Sequence, residues 1–182
     1  MARKRHEVMF AGIGGMGALL AGQMITKAAA TEYEHVIWSP NYTTARRGAP
    51  CDCTVILSDE EIASPILEQV QTLVVVAGQQ LKAYENRVRP GGLIITESAG
   101  LAEEVARDDV KVVKISALEL MLKQKQRVGS NMVMLGAYVG VTKVLPPELV
   151  EKVIEERFRG KKMLSFNKQA FYEGLKLAAK VA

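Results

Sequence analysis

Cysteine, histidine and aromatic side chains are scarce in this chain of 182 residues: it has two cysteines, two histidines and one tryptophan, and aromatics make up 5%. His6, His35, Cys51 and Cys53 do not make a four-ligand zinc set, and no Cys-x-x-Cys run is present to hold an iron–sulfur cluster. On a strand, the spacing of Cys51 and Cys53 puts both thiols on one face. Such neighbours do not form an ordinary disulfide, so they read as small residues of a half-buried strand. No apolar run reaches the ~18–20 residues of a membrane helix. The basic start, Arg3-Lys-Arg5, is followed by Glu7 and then by glycines, which is not a signal peptide, and the chain reads as cytoplasmic. The net charge is only +4, and its lysines and arginines are scattered without interleaved aromatics, which argues against nucleic acid.

Glycine, in contrast, is concentrated where it matters. The stretch Phe10–Gly22 follows a short apolar run, Glu7–Ala11, and opens into an uninterrupted helical pattern over Leu19–Ala30. Strand, glycines, helix is the order that Gly12-x-Gly14-x-x-Gly17 needs to act as a phosphate cradle. Gly12 permits a tight turn, Gly14 lets a ligand approach bare backbone, and Gly17 lets the helix lie close on the sheet. Free amides at the helix start, at the positive end of its dipole, then suit a pyrophosphate.

The rest of the chain alternates strand and helix as far as about residue 116. Strands are expected at Glu34–Ser39, closed by Pro40, then at Cys51–Leu57, Thr72–Ala77, Leu93–Thr96 and Val110–Ile115. Short helices are expected at Gln79–Val88, which Pro90-Gly91-Gly92 would end, and at Ala102–Arg107, with a helix or turn starting at Ser58. Asn41–Pro50 reads as a polar loop. From Ala117 onward the spacing is helical throughout: Ala117–Gln126, Asn131–Lys143, Pro147–Arg159 and Asn167–Val181, the last with Ser165 as a cap. A single α/β domain over residues 1–182 is implied, three-layered, with a mostly parallel Rossmann-like sheet and a helical C-terminal part over about 117–182. One feature of a dinucleotide site is missing. The end of the second strand, Trp38-Ser39-Pro40, has no carboxylate for an adenosine ribose, which favours another phosphate ester over NAD(P).

Gly12-Ile-Gly-Gly-Met-Gly17, Asn41-Tyr-Thr-Thr-Ala-Arg-Arg-Gly-Ala49, Ser58-Asp-Glu-Glu-Ile-Ala-Ser-Pro65, Pro90-Gly-Gly92 and Asn131-Met-Val-Met-Leu-Gly-Ala137 occur in that order. Together they resemble, over nearly the whole chain, the gamma subunit or gamma domain of the thiamine-diphosphate-dependent 2-oxoacid:ferredoxin oxidoreductases. The resemblance implies an assembly that oxidatively decarboxylates a 2-oxoacid and passes the acyl group to coenzyme A. In it, thiamine diphosphate, Mg and iron–sulfur clusters sit on alpha and beta partners, with a delta or ferredoxin-like subunit as a further candidate partner. This chain would supply no catalytic residue, would be inactive alone, and would bind coenzyme A with the pyrophosphate on the glycine loop. A short chain with no fused ferredoxin module tilts the choice toward the 2-oxoglutarate type.

Carried onto this sequence, Gly14, Gly15 and Gly17 match the family loop and would offer amides to phosphate. Met16 stands where the family usually has glutamine, and a thioether donates no hydrogen bond. Arg47-Gly48 matches an arginine–glycine pair, with Ala49 in place of a second glycine and Thr43-Thr44 in place of a glycine–proline. Arg47 would meet a phosphate, reach a partner's active site, or sit in solvent or a subunit contact. Asn131 would bond the ligand or cap the Met-rich helix, a task Ser130 could share, while Met132, Met134 and Leu135 read as core. Tyr42 would pack at an interface or stack on an adenine. A stand-alone NAD(P)-dependent oxidoreductase and a purely structural interaction subunit remain as alternatives.

Overall fold

The computed structural model describes residues 4–42, 48–126 and 128–181, and of Tyr42 the backbone only. Six strands, β1 (Arg5–Ile13), β2 (His35–Tyr42), β3 (Pro50–Ser58), β4 (Val70–Val75), β5 (Val88–Glu97) and β6 (Lys111–Ile115), form one sheet in the order β2-β3-β1-β4-β5-β6. The pairs β1–β4, β4–β5 and β5–β6 are parallel, whereas β3 is antiparallel to both β1 and β2. Five strands therefore point one way and β3 alone runs against them, so the sheet is mostly parallel, as expected.

One face carries α1 (Ala18–Ala29), α3 (Ala117–Lys123), α4 (Ser130–Thr142), α5 (Pro147–Phe158) and α6 (Leu164–Val181). Phe10, Cys51, Cys53, Val55, Val74 and Ile95 meet them from the sheet. The other face is covered thinly, by the one-turn α2 (Leu81–Tyr84) and flanking loops, over a smaller core of Met9, Leu73, Val75, Val88 and Ile94. β3 is consequently buried on both faces from Cys51 to Ser58 rather than half-buried, and both cysteines are free. No helix among the described residues is long and apolar enough to cross a membrane.

Local expectations fail where tertiary context overrides them. Pro40 does not close the second strand, because β2 is an edge strand whose unpaired side tolerates a missing N–H, and pairing with β3 continues to Tyr42. Gln79–Val88 is not one helix but a 3-10 turn at Gly78–Gln80, then α2, then a second turn at Glu85–Arg87, and β5 begins before Pro90-Gly91-Gly92 instead of after it. Residues 102–107 form no helix. There Arg107 donates to the carbonyls of Glu85 and Val88 at 2.9 and 2.6 Å and tethers an irregular segment to the sheet. A bend follows Ser58. Ser165 does not cap the last helix, which starts earlier, at Leu164.

Candidate functional site

The glycine loop lies beyond the carboxyl end of β1, where β4 flanks it on one side and β3 on the other. This is where the order of a doubly wound sheet switches direction and where such sheets bind ligands. Each glycine answers to a different neighbour. Gly12 is the penultimate residue of β1, and a Cβ there would lie 2.5 Å from Val76 Cγ2, so it brings the strand end against the residue that follows β4 rather than turning the chain. Gly15, at φ +97°, is exposed and has open space where a side chain would stand. Gly17, at φ +83°, is the N-cap of α1, a left-handed conformation that suits glycine, and no side chain caps the helix. Close approach of α1 to the sheet falls instead to Gly22, where a Cβ would collide with Cys53 Sγ.

The loop's hydrogen bonds divide its amides into two sets. The Gly14 amide donates to the Ala49 carbonyl at 2.8 Å and that of Met16 to the Ile13 carbonyl at 3.0 Å, so neither is free for a ligand. Gly48 donates back to the Gly14 carbonyl at 3.5 Å and is itself open to solvent at φ +80°. Among the described residues, no hydrogen bond engages the amides of Gly15, Gly17, Ala18 and Leu19. These are the donors that a helix start leaves orphaned. The Met16 side chain is half-buried against the core, so what position 16 presents is apolar.

Asn131 completes the site from the far end of the chain. A Cβ on Gly17 would lie 2.8 Å from Asn131 Cγ, which places this half-buried amide directly against the start of α1. Asn131 is not an N-cap. Gly129, at φ +96°, holds that position, neither Ser130 nor Asn131 caps by its side chain, and the Asn131 amide has no protein hydrogen-bond partner among the described residues. Two uncapped helix N-termini, those of α1 and α4, thus sit side by side with a free carboxamide between them. Their dipoles add at one place, and the donors there select for an anion. Gly12, Gly14, Gly15, Met16, Gly17, Gly48 and Asn131 are brought together; Arg47 lies outside the described residues. Gly129 was not singled out from the sequence, although Gly-Ser-Asn before an apolar run is a recognisable helix start.

Behind the site, on the opposite face of β3, Asp52 is buried. Its Oδ1 accepts from the Tyr84 hydroxyl at 3.1 Å and from Asn41 Nδ2 at 3.3 Å. Burial pushes its carboxyl above the usual range, against the pull of Tyr84, Arg87 and Asn41. At the end of β5, the buried Glu97 accepts the amides of Ala99 at 3.0 Å and Leu118 at 2.8 Å, and so secures the start of α3. Burial also pushes the Cys53 thiol up to about 12, which makes it a poor source of thiolate.

Residues 7–177 match the family model described as pyruvate ferredoxin/flavodoxin oxidoreductase. The ketoisovalerate oxidoreductase subunit VorA of Methanothermobacter marburgensis is 30% identical over 96% of the chain, but the chain spans only 37% of that protein's length. The pyruvate synthase subunit PorC of Thermotoga maritima is 31% identical and is matched over 95% of its length and 96% of this chain. Among solved structures, a keto/oxoacid ferredoxin oxidoreductase gamma subunit from Geobacter sulfurreducens superposes with a TM-score of 0.85 at 24% identity, covering 98% of both chains. A 2-oxoglutarate:ferredoxin oxidoreductase from Magnetococcus marinus, described with 2-oxoglutarate, coenzyme A and succinyl-CoA bound, gives 0.88 at 22% identity over 98% of this chain and 32% of that one. Both structures share the fold. The chain belongs to the pyruvate ferredoxin/flavodoxin oxidoreductase family, as a homologue of the gamma subunits of 2-oxoacid:ferredoxin oxidoreductases.

Proposed function

We propose that this chain is the coenzyme A-holding gamma subunit of a cytoplasmic 2-oxoacid:ferredoxin oxidoreductase that works with alpha and beta partners and a delta or ferredoxin-like one. The observation that carries the proposal is the pairing of two uncapped helix N-termini at Gly17 and Gly129, with the Asn131 carboxamide between them. A diphosphate ester fits that donor set: Gly15, Gly17, Ala18 and Leu19 would give backbone N–H groups to its oxygens, Asn131 a side-chain N–H, and the bare surface of Gly15 and Gly48 room for close approach. Arg47 is assigned to the same ligand or to the partner's active site. The Magnetococcus enzyme described with coenzyme A bound shares this fold.

Thiamine diphosphate with Mg, and iron–sulfur clusters, are assigned to the partners, where they would supply decarboxylation and single-electron transfer. Here the thiols of Cys51 and Cys53 face the helical core, and no group of three His, Cys, Asp or Glu among the described residues could hold a metal ion. This chain binds and orients the acyl acceptor and joins the subunits. The 2-oxoacid is then chosen in the partner's pocket. The 2-oxoglutarate type is our assignment.

A nicotinamide dinucleotide fits less well. In its usual site the second strand lies beside the first and ends in a carboxylate, whereas here the antiparallel β3 separates β1 from β2. The test is to purify the chain with the products of its neighbouring genes and to titrate the complex calorimetrically. Saturable binding of coenzyme A is expected, weakened about tenfold by Asn131→Ala, the loss of one hydrogen bond to a charged group. NADH and NADPH should give no heat. Absence of coenzyme A binding in an intact complex, or equal affinity in Asn131→Ala, would overturn the proposal; recovery of the chain without a thiamine-dependent partner would overturn its place in the assembly.

A further inference from the structure

A second concavity lies along α1, on the flank away from Asn131. A cavity of 420 Å³ is lined by Leu20, Met24, Trp38 and Val153 as its apolar part, by Gln23 and Thr26, and by Lys27 and Arg157. The lining holds no acid, and neither cation has a carboxylate partner among the described residues. Its volume is within the range of small-ligand sites, roughly 300–1,000 Å³, which combine an apolar wall with a few convergent polar groups. Trp38 is the sole tryptophan. Its indole nitrogen is turned inward and buried beside Gly22 and Cys53, and a Cβ on Gly22 would lie 3.2 Å from it, so the ring is wedged and its carbon surface is what the cavity meets. Lys27 lies in the last turn of α1 and Arg157 in the last turn of α5, which sets two positive charges over an aromatic wall.

We infer that this cavity binds a small aromatic anion, a one- or two-ring aromatic body carrying a phosphate or a carboxylate, at a site separate from the glycine loop. The ring would pack on Trp38 and Met24 while Arg157 and Lys27 take the anion, Arg157 in its bidentate geometry. Burial of a ring against Trp38 changes indole emission, so a single fluorophore reports the site.

The full chain is titrated with AMP and with phenylacetate while Trp38 emission is followed, with inorganic phosphate, acetate and benzyl alcohol as probes that have the charge or the ring alone. The expected result is saturable quenching below millimolar concentration by at least one of the two aromatic anions. Saturation by AMP only identifies a phosphate ligand and by phenylacetate only a carboxylate one; the three partial probes should bind at least about tenfold more weakly. Lys27→Gln combined with Arg157→Gln, both on exposed side chains, should weaken binding about tenfold and leave the melting temperature unchanged. Asn131→Ala should leave quenching intact, which separates this site from the coenzyme A site. No saturable quenching by either anion, or quenching that survives the double substitution, would overturn the inference.

Discussion

Asp52 shows how a single side chain records its surroundings. It is 7% exposed, and both of its donors, Tyr84 and Asn41, reach the same oxygen. Burial raises its pKa from the ordinary 3.8, so the folded protein holds this proton at pH values where the unfolded chain has released it. The folded state then binds more protons, and stability contributed by this group is present at acid pH and falls as pH rises from about 4 through the folded value. Asp52→Asn should therefore gain on the parent with rising pH. The difference in melting temperature between variant and parent, measured from pH 4 to pH 7, should move in the variant's favour; a pH-independent difference would refute it. Asp52 could not be found from sequence, because Tyr84 and Asn41 come from separate elements. The glycine spacing could be. Its division of labour could not, since Gly17 answers to Asn131, Gly12 to Val76, and Gly22, outside the motif, to Cys53.

At the scale of elements, the tightest joint is between α4 and α6. Cβ atoms on Gly136 and Gly174 would collide with the backbone carbonyls of Phe171 and Val133, so the two helices touch main chain to main chain. A Cβ on Gly140 would lie 2.6 Å from the Ala178 methyl, with Leu175 at ordinary contact distance. Neither a helix carbonyl nor an alanine methyl can rotate aside, but the overlap at Gly136 is the deeper of the two and falls on the main chain of α6. Gly136→Ala should accordingly cost about 3 kcal/mol or more in denaturant unfolding, and more than Gly140→Ala. Equal costs would mean that the helices separate freely. Because α4 also carries Asn131, loosening this joint should displace the carboxamide from Gly17. Helices α1, α3, α4, α5 and α6 were legible to within three residues, as apolar spacing sets them, whereas the expected helix Gln79–Val88 breaks into α2 and its flanking turns. The irregular segment at residues 102–107 was not, since its course is set by Arg107 bonding to carbonyls of the neighbouring β5 region.

For the whole molecule, the question is which surface meets a partner. Leu122 and Val128, each 55% exposed, flank the turn between α3 and α4, and Met163, 38% exposed, precedes α6. These segments converge: a Cβ on Gly129 would lie 2.6 Å from the Phe166 ring and 3.3 Å from Met121 Sδ. The apolar cluster therefore borders the Gly129–Asn131 end of α4, next to the amides assigned to coenzyme A. A subunit that presents a coenzyme to another chain must place that chain beside the coenzyme, and large exposed apolar side chains at this edge are what such a contact would bury. Leu122→Glu with Val128→Glu should leave the isolated chain as stable as the parent, within about 0.5 kcal/mol, because both side chains are already in water. In co-expression, the same variant should lose its partner chains on a tag-affinity column while still folding. If the partners are retained at parental yield, the contact lies on another face, and the coenzyme would have to reach its acyl donor from a site open to solvent.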